Sequence, residues 1–160
     1  MFNFTHFALV GLMAVALPAA AQYSPVPDFV SPTEGRTAQL QVAVGGSAAI
    51  SGLVIYDDPN TCRSPRRVRR LENPLQLSAD RQLTFTAYLT KGDYACRITS
   101  SFQPKAGHFY ELYSVLRQDA CVILVGYSDR QEGPYLKIRD IEQLRYVPGD
   151  SPGNSFCEAK

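Results

Sequence analysis

Leu83, Phe85, Ala87 and Leu89 alternate with Thr84, Thr86 and Tyr88. This two-residue period constrains the chain more than any other feature in it. Successive side chains on an extended strand point to opposite faces, so the pattern predicts a half-buried β-strand. Similar stretches recur. Leu40, Val42 and Val44 alternate with Gln39, Gln41 and Ala43, which reads as a strand with one wet face. Ala49 to Tyr56 is a mostly apolar run rich in β-branched residues, expected to be a central strand. Leu75 and Leu77 flank Gln76 in a short strand candidate. Tyr94, Cys96, Ile98, Ser100 and Phe102 share one face of a further strand. Phe109 to Leu116 and Cys121 to Tyr127 complete a meander.

Turn chemistry separates these runs. Gly45-Gly46-Ser47, Asp57-Asp58-Pro59-Asn60, Lys91-Gly92-Asp93 and Gln103 to Gly107 are all expected turns. Tyr135 to Tyr146 supports two readings. Ile138, Ile141 and Leu144 recur every three residues, as in a short helix, whereas Tyr135 to Ile138 also suits a last strand. No internal repeat and no strand–helix–strand rhythm is present. The expected fold is all-β: an antiparallel β-sandwich, or partly open barrel, of seven or eight strands. A chain of 160 residues suits one domain. That domain is placed at residues 37–160, after an extended lead-in at 22–36 that carries three Pro and no period.

Phe7 to Leu17 is an uncharged run of eleven residues, followed by Pro18 and Ala19-Ala20-Ala21. A short apolar core ending in small residues has the form of a secretory signal peptide, here residues 1–21, cut after Ala21. Met1 to His6 contains no Lys or Arg, an atypical feature for such a leader. The run is too short for a membrane-spanning helix, which needs about 20 apolar residues. The expected location is periplasmic or secreted. Cys62, Cys96, Cys121 and Cys157 all lie beyond the cut, and an even count in an exported chain points to disulfides. Three pairings are open. No Cys-x-x-Cys pair occurs and only His108 remains beyond the cut, so no metal site and no cofactor are expected. Cys157 follows the turn-rich stretch Pro148 to Asn154 and is expected to pin the C-terminal tail.

The net charge of +1 and a hydrophobic content of 45% exclude a histone-like chain and a wholly disordered one. The charge is unevenly placed. Arg63, Arg66, Arg67, Arg69 and Arg70 stand within the eight positions 63–70. Arginine suits bidentate recognition of carboxylate and phosphate, so this segment is the candidate partner-binding site. An acidic protein, lipopolysaccharide phosphates or an anionic lipid surface would suit it. The competing readings are a solvated strand edge whose charge blocks edge-to-edge aggregation, and internal pairing with Asp57, Asp58 or Glu72. The sequence leaves open whether the segment is a loop or an edge strand. Nucleic acid is a poor partner for an exported, near-neutral chain.

Catalytic candidates are sparse. His108, at a turn entering a strand, is the one imidazole base, and Ser and carboxylate partners would have to be brought to it. Gly126-Tyr127-Ser128-Asp129-Arg130 lacks the last Gly of a nucleophile elbow. Asp57 and Asp58 point to opposite faces if they lie on a strand, and they suit a turn. The bland reading of His108 is an exposed turn residue, so no catalytic residue is assigned. Tyr88, Tyr94, Tyr110, Tyr113 and Tyr127 lie within or beside strands, where aromatic residues serve the core.

Tyr56-Asp57, Cys62-Arg63-Ser64-Pro65-Arg66-Arg67, Cys96, Phe102-Gln103-Pro104, Gly107, Tyr110-Glu111 and Cys121 form a layout similar to small exported bacterial β-rich proteins, mostly uncharacterised. Their pattern runs Y-D…C-x-S-P-R-R…C…F-x-P-x-x-G-x-x-Y-E…C, and the resemblance covers residues 50–127. Many such proteins resemble lipoproteins, whereas this chain has no Cys at the cut site. The resemblance implies a compact β fold in the envelope and carries no catalytic residue. The functional expectation is a non-enzymatic envelope binding protein, most concretely an inhibitor or immunity-type module anchored by the arginines. The alternatives are an envelope accessory that binds lipopolysaccharide or another anionic surface, and a small hydrolase using His108.

Overall fold

The computed structural model describes residues 25–43, 46–117, 120–138, 140–147 and 156–159. Eleven strands form: β1 (Thr37–Val42), β2 (Ala49–Asp58), β3 (Arg63–Val68), β4 (Leu75–Ser78), β5 (Leu83–Lys91), β6 (Tyr94–Phe102), β7 (Phe109–Arg117), β8 (Ala120–Ser128), β9 (Leu136–Lys137), β10 (Glu142–Val147) and β11 (Phe156–Ala159). The all-β sandwich read from the sequence is the fold, with more strands among the described residues than the expected seven or eight. Residues 135–146 contain β9 and β10 rather than a helix. Asp57 and Asp58, expected in a turn, are the last residues of β2, and the turn begins at Pro59. The signal peptide at residues 1–21 lies outside the described residues.

Two sheets form, with strand orders β4-β1-β7-β8-β9 and β11-β10-β6-β5-β2-β3. Pairing is not wholly antiparallel as expected: β1 lies parallel to β7, with Leu40 opposite Tyr110. The sequence brings β1 there by a long route, since the chain visits the six-stranded sheet twice between the two strands. No local pattern marks such a pairing, because register between remote strands leaves no period.

The main core lies between the sheets. Leu83, Phe85, Ala87 and Leu89 of β5, Leu53 and Ile55 of β2, and Leu40, Leu112 and Val125 of the opposing sheet are all buried. Burying one such large side chain contributes roughly 1.5–3 kcal/mol. The Cys96–Cys121 disulfide ties β6 to β8 and hence one sheet to the other, with Cα atoms 6.6 Å apart.

The opposite face of β5 is also dry at Thr84 and Thr86, and becomes exposed only at Tyr88. Thr84 and Thr86 are as buried as Phe85, contrary to the half-buried strand that alternation predicts. The cause is the curl of the six-stranded sheet. Its edge strand β11 reaches the turn between β2 and β3, where Cys157 bonds to Cys62 and the Cys157 N–H donates to the Thr61 carbonyl at 3.2 Å. Tyr56, Cys62 and Cys157 form a second small core inside the curl, with Val54, Leu144 and Tyr146 against it. Hydroxyls on this face satisfy one another. Tyr56 Oη meets Thr86 Oγ1 at 2.9 Å, Thr86 Oγ1 meets Thr99 Oγ1 at 2.7 Å, and Thr84 Oγ1 meets Ser101 Oγ at 2.9 Å. A buried hydroxyl without such a partner is costly, so the threonines fit this face only as a connected set.

Candidate functional site

Arg63, Arg66 and Arg67 lie on β3, the edge strand of the curled sheet, and Arg69 and Arg70 follow its end. The strand pairs antiparallel with β2, placing Val68 opposite Leu53, Arg67 opposite Val54, Arg66 opposite Ile55 and Arg63 opposite Asp58. Val68 is the buried residue that roots the strand in the core. Pro65 and the arginines fit an edge, where a missing N–H does no harm and charge discourages further strands.

The lead-in straps this edge. The Phe29 N–H donates to the Arg67 carbonyl at 2.9 Å, and the Arg67 N–H donates to the Pro27 carbonyl at 2.9 Å. Two residues further on, Ser31 Oγ accepts the Gln76 N–H of β4 at 3.3 Å. Residues 27–31 therefore lace β3 of one sheet to β4 of the other.

The five arginines do not form a single patch. Adjacent strand residues face opposite sides, which separates Arg66 from Arg67. Arg66 Nε contacts Asp57 Oδ2 at 2.6 Å, and Arg69 Nε contacts Asp28 Oδ2 at 2.7 Å. Arg63, Arg67 and Arg70 are exposed and make no salt bridge among the described residues. Arg63 sits between Cys62 and Ser64, both at φ 53°. Left-handed backbone at non-glycine residues persists only where the surroundings enforce it, and such strain gathers at functional positions. Here the enforcement is visible. Cys62 is covalently fixed to β11, and Asp58 clasps the turn by accepting from the Thr61 hydroxyl at 2.6 Å and from the Asn60 and Thr61 N–H groups. Those bonds, the Thr61 hydroxyl foremost, hold the Asp58 carboxyl below the usual carboxylate range.

A cavity of about 270 Å³ opens where the strap crosses the seam between the sheets. Its floor is apolar, with Phe29, Ile55, Leu77 and Leu83, and Asp28, Asp57, Arg66 and Arg81 supply its charge. Arg81 Nη1 donates to the Asp57 carbonyl at 3.2 Å and has no carboxylate partner among the described residues. Sequence reasoning missed Arg81 because it lies eleven positions beyond the arginine run; only the fold brings it beside Arg66.

His108 is not the exposed turn residue expected. It is partly buried, with Nε2 2.6 Å from Asp129 Oδ1 and its ring edge-on to Tyr110 and Tyr127. Its Nδ1 is buried and has no hydrogen-bond partner among the described residues. No Ser, Thr or Cys side chain bonds to it among the described residues. No cluster of three metal-ligating side chains occurs among the described residues either.

The four cysteines are paired as Cys62–Cys157 and Cys96–Cys121, as befits an oxidising environment. No helix among the described residues is long and apolar enough to cross a membrane. The chain matches no protein-family model, no curated protein and no solved structure.

Proposed function

We propose that the protein is a non-enzymatic binding protein of the periplasm or extracellular space, most concretely an inhibitor or immunity-type module that docks an acidic partner protein on its β2–β3 hairpin. The observation that carries this reading is the rigid presentation of charge that has no salt-bridge partner among the described residues. Arg63 and Arg67 stand exposed on a strand fixed by β2, by the strap and by the Cys62–Cys157 bridge, and Arg70 stands exposed two residues beyond its end. A preorganised backbone spares the entropy cost of ordering on binding, and arginine is enriched among binding hot spots. Export rests on the signal-peptide form of residues 1–21 and on the two disulfides; the resemblance to small exported bacterial proteins points the same way.

Affinity capture tests the proposal. Oxidised Gln22 to Lys160 serves as bait against envelope extract, beside an Arg63→Ser/Arg67→Ser/Arg70→Ser control. One stoichiometric protein held by the wild type and lost by the control is the expected result. Equal retention by both baits would remove the hairpin from the site. Recovery of lipopolysaccharide or anionic lipid alone, with retention falling steeply as salt rises, would favour the envelope-accessory alternative. A hydrolase would lose activity in His108→Ala while keeping its fold.

A further inference from the structure

We propose a second binding site, for a single-chain amphiphile with a carboxylate head, in the cavity at the end of the sandwich where β6, β7 and β8 open. This cavity, about 460 Å³, is larger than the seam cavity and lies in the range of roughly 300–1,000 Å³ typical of small-molecule sites. It is lined by Phe102, Tyr110, Tyr127 and Ile138, with Gln103, Lys105, Lys137 and Asp140 completing its wall.

The floor makes little polar demand on an occupant. Phe102 and Tyr110 are each only 3% exposed, and their rings pack 5.0 Å apart between centroids. The hydroxyl of Tyr110 already accepts the Lys105 N–H at 2.8 Å, so the ring offers an apolar wall and its polar end is satisfied. The Tyr110 phenol is neutral at physiological pH, and burial raises its pKa further. Over this floor, the apolar surface left for a hydrocarbon chain to cover is that of Tyr127 and Ile138, which are only partly buried.

The charged residues set the head group. Lys105 and Lys137 are exposed, and neither makes a salt bridge among the described residues. Among the described residues of the wall, one carboxylate stands against them, Asp140. Two ammonium groups and one carboxylate leave a net positive charge beside an apolar pit, which complements an anionic head on an apolar tail. None of these residues belongs to the arginine hairpin, so the site is independent of the partner docking proposed above.

The probe is 11-(dansylamino)undecanoic acid, titrated into the oxidised protein below its own aggregation concentration. Expected are saturable 1:1 binding with enhanced, blue-shifted emission, and displacement by dodecanoic acid at lower concentrations than by dodecan-1-ol. Lys105→Gln/Lys137→Gln, both at exposed positions, is expected to weaken binding about tenfold, as loss of two solvent-screened charge contacts allows. The Arg63→Ser/Arg67→Ser/Arg70→Ser protein is expected to bind the probe as the wild type does. No saturable signal, or equal binding by the lysine variant with its melting temperature unchanged, would overturn the proposal. Equal displacement by acid and alcohol would remove the carboxylate from it.

Discussion

Cys62 and Cys157 stand 95 residues apart in sequence and 5.4 Å apart between Cα atoms, and their bond draws the outermost strand of the six-stranded sheet onto the β2–β3 turn. One bridge thus performs two tasks. It covers the hydroxyl-bearing face of β5, and it fixes the turn that presents Arg63. Cys96–Cys121 spans 25 residues and joins the two sheets instead.

Loop-closure entropy ranks the two bridges. Removing the long-range one by Cys62→Ala/Cys157→Ala is expected to cost about 1 kcal/mol more than removing Cys96–Cys121, from loop length alone. Chemical denaturation of the two variants measures the difference. Hydrogen exchange should show the loss first in β10 and β11, while β5 stays protected.

Tyr56→Phe deletes one end of the chain that runs through Thr86 to Thr99. The expected cost at neutral pH is about 1 kcal/mol, since Thr86 keeps its bond to Thr99. Alkaline pH gives a sharper readout. Burial, ahead of the opposing hydrogen bond from Thr86, pushes the Tyr56 pKa up to about 12. The unfolded side chain loses its proton near pH 10, so the folded state binds the proton more tightly. The contribution is therefore complete below about pH 10 and is lost as pH rises toward 12, amounting to about 2–3 kcal/mol. Denaturation midpoints measured from pH 8 to 12 should fall less steeply in Tyr56→Phe.

Gly126 of β8 has no room for a side chain. A Cβ there would lie 2.9 Å from Tyr135 Cβ and 3.4 Å from the Tyr113 ring. The first neighbour is attached directly to the backbone and cannot swing aside. Gly126→Ala should cost about 1–3 kcal/mol by overpacking. It should also disturb the outer face where Glu111 accepts from Tyr113 and from Gln41 Nε2. Thermal melting and the tyrosine side-chain resonances report these effects.

The strap carries a solubility prediction. Phe29 packs against the core, and the flanking backbone covers β3. Phe29→Ala should loosen the strap and free backbone groups of an edge strand. Increased self-association on light scattering is expected, and it should grow further in Phe29→Ala/Arg67→Val, where a β-former replaces an edge charge. The Arg66–Asp57 pair, with side chains 38% and 36% exposed, should contribute no more than about 1 kcal/mol in a double-mutant cycle.

The sequence revealed the strands with strong period, and turn chemistry at Pro59-Asn60, Gly92-Asp93 and Ala106-Gly107. Leu83 to Leu89 is one strand, and its apolar set faces the core. It did not reveal that Thr84 and Thr86 are dry, because the cover is supplied by β10 and β11, remote in the chain. β3 was ambiguous for a local reason: Ser64-Pro65-Arg66-Arg67 has no apolar alternation, and only Val68 anchors it. The cysteine count implied bridges, while their pairing depended on the curl of the sheet. Of the candidate site, the arginines were legible as a run. Pairing with the nearby Asp57 is open to the sequence, whereas their division between opposite faces, the pairing of Arg69 with Asp28 and the arrival of Arg81 follow from tertiary placement.

The central claim is that the hairpin is where a partner docks. Hydrogen–deuterium exchange of the oxidised protein, free and bound to the captured partner, tests it most directly. The account expects new protection concentrated in residues 61–70, with the outer face of β7 and β8 unchanged. Protection confined to that outer face, with residues 61–70 exchanging as in the free protein, would contradict it.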